Sequence, residues 1–374
     1  MPRAARSSVS RRRFLLTAFA AALPQPASAA ARPLWEGARY TIAQRDRAIR
    51  RGLSFIYRLS RNGGTFAENG DDLLWCFYTL AATAADPWLR QNAQKMGQER
   101  ARQWRRENPA IPARATADDI ASLVFGNLAA DALGVREAAM KPLLAKAAER
   151  FSAVDYLKFD PKTGMIPQDI PQACEGDEER NSRAGSKRCA AFASPYDLLI
   201  DALTTTYSGD RYGVRLGASL PEVMALVPRM RPYRVTGEGD DSNFIDLTYA
   251  VTHVVYALND YGKYRLRPEW LPQEYAYLRE NLERSIKDDD PETTGEFVDT
   301  LKSFGLTGQD PLIRKGVEFI MRTQHADGSW GDRSDNDPYV AYHSTWTAIN
   351  GLMDYAWAGE GVSFPEALRR AREG

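Results

Sequence analysis

The stretch Gln324-His325-Ala326-Asp327-Gly328-Ser329-Trp330-Gly331-Asp332 decides how this chain reads. A helical pattern precedes it, RKGVEFIMRT over 314–323, and another follows, YHSTWTAINGLMDYAW over 342–357. Asp-Gly is a turn dipeptide, because glycine enters backbone conformations closed to other residues. Gln324 ends the first helix, where carbonyls lack partners. Its amide can satisfy one of them and lie against the Trp330 ring. Trp330 then packs the turn against the hairpin. The stretch reads as a structural staple between two helices, not as a catalyst.

The same rhythm extends in both directions. Strong strand signals are few, and helical stretches recur in pairs. More polar ones are expected near 43–60, 87–107, 136–153, 212–228, 272–287 and 310–324. More apolar ones are expected near 71–84, 118–132, 195–207, 241–260, 291–305 and 340–357. Alternation of this kind fits an outer layer, wet on one side, around a more deeply buried inner layer. The expected fold is therefore all-α, six helical hairpins closing into an (α/α)6 toroid. An internal repeat supports closure. Arg51-Gly52-Leu53-Ser54-Phe55-Ile56-Tyr57-Arg58 lies over Lys315-Gly316-Val317-Glu318-Phe319-Ile320-Met321-Arg322. Without a gap, Asn62-Gly63-Gly64-Thr65-Phe66 then lies over Ala326-Asp327-Gly328-Ser329-Trp330.

Lys315-Gly316, Phe319-Ile320, Gln324, Gly328 and Trp330 resemble the QW repeat of the terpenoid cyclases and their α/α-toroid relatives. The resemblance implies the toroid and is nearly silent on chemistry, since that fold serves cyclases, prenyltransferases, lyases and binding proteins. Gly331-Asp332, Tyr342-His343-Ser344-Thr345 and Gly351-Leu352 are similar to a stretch of protein prenyltransferase β-subunits. There the histidine binds catalytic zinc, so the resemblance implies His343 as a ligand. The Asp-x-Cys of that family is missing. The nearest substitute is Asp72 with Cys76, four residues apart on the first inner helix. An Asp72/Cys76/His343 zinc site is geometrically possible if the ring closes. Cys76 reads equally well as a buried core thiol.

The N-terminus carries a separate message. Ser10-Arg11-Arg12-Arg13-Phe14-Leu15-Leu16 is a twin-arginine signature, an apolar run follows, and Ala27-Ser28-Ala29 offers small residues for cleavage. Residues 1–29 are thus expected to be a signal peptide, and the protein periplasmic or secreted. The apolar run is too short for a resident transmembrane helix. The chain has 49 basic and 49 acidic residues. Without the five arginines of the signal, 44 basic residues face 49 acidic ones, a net of −5. A mildly acidic chain with no basic stripe does not suit nucleic acid. Residues 30–374 show no linker-like tract and read as one domain with a long loop at 155–192. Cys174 and Cys189 in that loop can pair in an oxidising compartment.

Acids open most inner helices: Asp71-Asp72, Asp118-Asp119, Asp197, Asp240-Asp241, and Asp290 with Glu292. Tyr342-His343 opens the last. Capping and dipole complementarity account for most of these. Crowded carboxylates also raise one another's pKa, which is how one acid stays protonated beside an ionised base. The catalytic candidates are Asp240, Asp241, Asp72, Glu292 and His343. His253 is expected at a different level, about 18 Å along its helix, as a core histidine making one hydrogen bond. Two functions remain open. One is an exported enzyme doing acid/base chemistry in an aromatic-lined central cavity, on an isoprenoid-like or glycan substrate. The other is a non-catalytic module that binds a small-molecule or glycan ligand, or a partner. Cofactor and oligomeric state are not fixed by the sequence.

Overall fold

The computed structural model describes residues 32–164, 195–235 and 242–373. The signal segment, Cys174 and Cys189, most of the 155–192 loop, and Asp240 and Asp241 lie outside the described residues. Within them the chain is all-helical, with isolated β-bridges but no strand. The helices are α1 (Ile42–Ser60), α2 (Gly63–Thr83), α3 (Pro87–Glu107), α4 (Ala117–Ala132), α5 (Met140–Ala148), α6 (Ala153–Leu157), α7 (Pro195–Tyr212) and α8 (Leu220–Met224). They continue as α9 (Val227–Met230), α10 (Ser242–Asn259), α11 (Pro272–Lys287), α12 (Pro291–Ser303), α13 (Pro311–Thr323), α14 (Pro338–Leu352) and α15 (Pro365–Arg372). No helix among the described residues is long and apolar enough to cross a membrane.

Helix starts follow local chemistry. Asp86, Asp290, Asp310 and Asp337 each cap a helix whose first residue is proline. The carboxylate takes an orphan N–H, and proline lacks the N–H that would otherwise need a partner. Thr41 and Thr116 close capping boxes with Gln44 and Asp119. The helix expected over 136–153 shortens to α5, and that expected over 340–357 ends at Leu352; two further differences have local reasons. The polar helix expected over 212–228 is replaced by two short helices, α8 and α9, and its first part is not helical because Gly213 and Gly217 take left-handed φ values of 73° and 76°. The first apolar helix starts earlier than expected, at Gly63, and bends at Asn69 (φ −125°, ψ 20°).

The apolar helices α2, α4, α7, α10, α12 and α14 pack in sequence, each on the next, and α14 packs back on α2. Cross-helix pairs show the direction of three of them. Tyr249 meets Glu292 and Thr252 meets Glu296, while Glu292 meets Ser344 and Lys302 reaches the carbonyls of Asn350 and Gly351. The partners ascend together, so α10, α12 and α14 run parallel. Glycine makes the tightest of these contacts. A Cβ added at Gly295 would lie 2.6 Å from the backbone carbonyl of Thr347.

The staple forms, with its two polar roles exchanged. Trp330 is buried, and its indole N–H donates to the Ile320 carbonyl of α13 at 2.7 Å. The Gln324 amide instead reaches across to α1, donating to Ala48 O at 2.8 Å and to Gly328 O at 3.0 Å. Gly328 has φ +98°, and a side chain there would strike the Arg51 carbonyl. Gly52, the repeat partner of Gly316, sits against the Trp330 ring. Arg51 and Arg58 donate to the carbonyls of His325, Ala326 and Asp327. The first and last repeat units therefore meet in space. Their turns differ, however: Asn62 caps α2 directly, so Phe66 is helical where Trp330 lies in a turn.

Candidate functional site

The polar heart of the molecule is a stripe along α12. Glu292, Glu296 and Asp299 follow one another at four and three residues, which places them on one helical face. All three face other helices rather than solvent. Glu292 accepts from the Tyr249 hydroxyl at 2.6 Å, the Ser344 hydroxyl at 2.6 Å and Nδ1 of His343 at 2.8 Å. Glu296 accepts from the Thr252 hydroxyl at 2.5 Å. Asp299 takes hydrogen bonds from Tyr256 and Tyr355. Close packing of α12 on α14 at Gly295 makes the first of these sets possible.

Environment separates these groups by charge. Burial opposes ionisation of Glu292, yet the His343 charge and the three hydrogen bonds pull its pKa down to about 2. Burial likewise opposes a charged His343, but Glu292 beside it, with Asp72 and Glu296 nearby, raises the imidazole to about 9. The two form a buried ion pair. For Glu296 burial outweighs the pull of His343 and the Thr252 hydrogen bond and raises it to about 8, so it is mostly protonated at pH 7. Burial raises Asp299 to about 6 against the pull of Lys302.

A cavity of about 30 Å³, room for about two waters, lies against this stripe. Glu296, Asp299, His343, Trp346, Asn350 and His253 line it, with Tyr256, Tyr261 and the threonines 79, 83 and 347. His253 was expected at another level, and the helix stagger corrects this. Glu292, second in α12, faces the eighth residue of α10, Tyr249, and the sixth of α14, His343. Distance from a helix start is therefore not depth in the molecule. The single hydrogen bond expected of His253 is present, from Nδ1 to Tyr249 O at 2.8 Å. A carbonyl only accepts, so Nδ1 carries the proton and Nε2 keeps its lone pair. Burial, with the His343 charge adding to it, holds His253 neutral down to about pH 4. Two polar atoms at the cavity lack partners: Trp346 Nε1 and Asn350 Oδ1.

The remaining sequence candidates fall as follows. Glu292 and His343 are brought together. Asp72 lies inside α2, beyond the bend, rather than at a helix start; it accepts from the Tyr342 hydroxyl at 2.8 Å and acts on His343 through its charge. Asp71 accepts from Ser122. Among the described residues no three His, Cys, Asp or Glu side chains converge on a possible metal position. The Asp72/Cys76/His343 zinc site is thus not formed. Glu292 occupies Nδ1 of His343, Tyr342 engages Asp72, and Cys76 is a fully buried thiol whose pKa burial drives well up. Glu296 and Asp299 were not singled out, and His253 was expected to be a core histidine away from the site. The spacing of acids along PETTGEFVDTLKS was the available signal, since a buried helix carrying three carboxyls on one face is costly without a purpose. No family model matches the chain, and no solved structure matches it.

Proposed function

We propose that the protein is an acid/base enzyme acting on a hydroxylated, glycan-like substrate, of which a single oxygen and a water fill the small cavity while the rest of the substrate stays outside it. The observation that carries this reading is the opposite protonation of two imidazoles lining one cavity. A backbone carbonyl holds Nδ1–H of His253 and leaves Nε2 as a base. A carboxylate holds Nδ1–H of His343 and leaves Nε2–H as an acid. Separated pKa values at one site are the arrangement that acid/base catalysis needs. In the proposed reaction a water gives a proton to His253 Nε2 as its oxygen bonds to the sugar carbon whose C–O bond to the leaving group breaks. His343, with the protonated Glu296 beside it, supplies one to the departing oxygen. Glu292 positions His343 and keeps it charged. The polar lining, including three threonines and Asn350, favours hydroxyl-bearing substrates over isoprenoid ones.

The circular order of helix contacts, and the junction of α1 with the Trp330 turn, support an (α/α)6 toroid as the scaffold. In that scaffold the cavity is the centre of the ring. The twin-arginine stretch supports export of the folded chain, with cleavage after Ala29. The test is turnover of a panel of polysaccharides and of polyprenyl diphosphates by wild type, His253→Gln and His343→Gln. A glycan turned over by wild type and at least about a hundredfold more slowly by both variants, at unchanged melting temperature, supports the reading. Variants as active as wild type would overturn it. Binding of a glycan without turnover would leave a binding module in its place.

A further inference from the structure

A second cavity, of about 260 Å³, opens at the far end of α12 and α14. It is lined by Trp35, Tyr355 and Trp357, and by Arg45, Arg265 and Asp354. Lys302 lies in its floor and donates to the carbonyls of Asn350, Gly351 and Met353 at 3.0, 3.0 and 2.5 Å. Helix C-termini present unsatisfied carbonyls and a partial negative charge. Lys302 neutralises that end of α14, so the floor does not repel an anion. Arg45 is engaged by Asp46 and Asp354. Arg265 is exposed, and its guanidinium has no hydrogen bond or ion pair among the described residues. Tyr355 and Trp357 stack at 4.6 Å, and Trp35 and Trp357 are only half-buried.

From this combination we infer a binding site for a sugar ring bearing an anionic group. Tyr355 stacks on Trp357 and the Arg314 guanidinium lies over Trp35, and the part of each half-buried indole that lines the cavity offers apolar surface to the C–H face of a ring. The exposed carboxylate of Asp354, held by Arg45, accepts from ring hydroxyls. Arg265 supplies the free fork that a carboxylate or phosphate takes in bidentate fashion. Arg45 is offset by Asp46 and Asp354, and Lys302 by the carbonyls it caps and by Asp299, so Arg265 is the uncompensated charge of the lining and favours an anion over a neutral sugar. The site is separate from the histidine cavity and does not depend on the chemistry proposed there.

Titration calorimetry on the full chain tests this with three probes: glucuronate, glucose 6-phosphate and glucose. Saturable binding of at least one charged sugar is expected, at least tenfold tighter than glucose. Which of the two binds tells a carboxylate ligand from a phosphate one. Arg265→Gln, a change at an exposed side chain, is expected to weaken that binding at least tenfold. Trp357→Leu is expected to weaken charged and neutral sugars alike. His253→Gln is expected to leave binding unchanged, which separates this site from the histidine cavity. No saturable binding of either charged sugar, equal affinity for glucose, or an Arg265→Gln variant that binds like wild type would overturn the assignment.

Discussion

At the scale of single residues, the molecule shows how the partner of one nitrogen sets the state of the other. His253 and His343 share a cavity and differ in what Nδ1 meets, a carbonyl or a carboxylate. Glu292→Gln should therefore change His343 more than any group it leaves in place. With that counter-charge gone, burial opposes the charged imidazole more strongly than Asp72 and Glu296 support it, and its pKa should fall well below about 9. Imidazole chemical shifts followed by NMR across the pH range would check this; a midpoint still near 9 would mean that Asp72 and Glu296 hold the charge. The same substitution should destabilise the fold by about 3–5 kcal/mol, as breaking a buried ion pair does.

At the scale of elements, two contacts decide whether the site assembles. Gly295 lets α12 close on α14, and the intruding atoms there are backbone, which cannot turn aside. Gly295→Ala is expected to cost about 1–3 kcal/mol or more, from overpacking. Gly63, at the start of α2 with nothing near its Cβ position, is the control. Gly63→Ala should be neutral or stabilise slightly, by at most about 1 kcal/mol. Urea denaturation of both variants compares them directly. The Trp330 turn joins α13 to α1. Trp330→Ala removes a buried indole and leaves the Ile320 carbonyl with one partner fewer, for a loss of about 3–5 kcal/mol. Gln324→Ala should cost less, about 1 kcal/mol, since hydrogen bonds alone are lost. Near-equal losses would contradict this division between packing and hydrogen bonding.

At the scale of the whole molecule, the titrating core sets how stability varies with pH. Glu296 binds its proton more tightly in the folded state, about 8 against an ordinary 4.5, so its contribution is full below 4.5 and lost as pH rises to 8. His343 is raised in the same sense, and its contribution is full below 6.5 and lost as pH rises to 9. His253 and Glu292 are lowered, so theirs are lost on acidification, from 6.5 to 4 and from 4.5 to 2. Between pH 6.5 and 8 the two raised groups act together, and melting temperature should fall with pH. Glu296→Gln removes one of them, so the fall over that window should be shallower. An unchanged slope would show that Glu296 is already ionised in the folded protein.

The helical character of the chain, most helix boundaries and the Trp330 staple were legible in the sequence, because periodicity, caps and turn residues act over a few positions. Pro291 after Asp290, or Gly328 before Trp330, carries its meaning locally. Glu292 and His343, which the structure brings together, were legible for the same reason, as unusual residues near helix starts. The rest was decided only in three dimensions. That Gln324 reaches α1 while Trp330 caps α13 depends on which helix lies alongside. That His253 shares a cavity with His343 depends on the stagger between α10 and α14. Whether Glu292 is charged and Glu296 neutral depends on which of them hydrogen-bonds the His343 imidazole across the helix contact and which accepts only from a hydroxyl. Sequence specifies what each residue can do, while desolvation and Coulomb interaction depend on distances between helices, which packing alone sets.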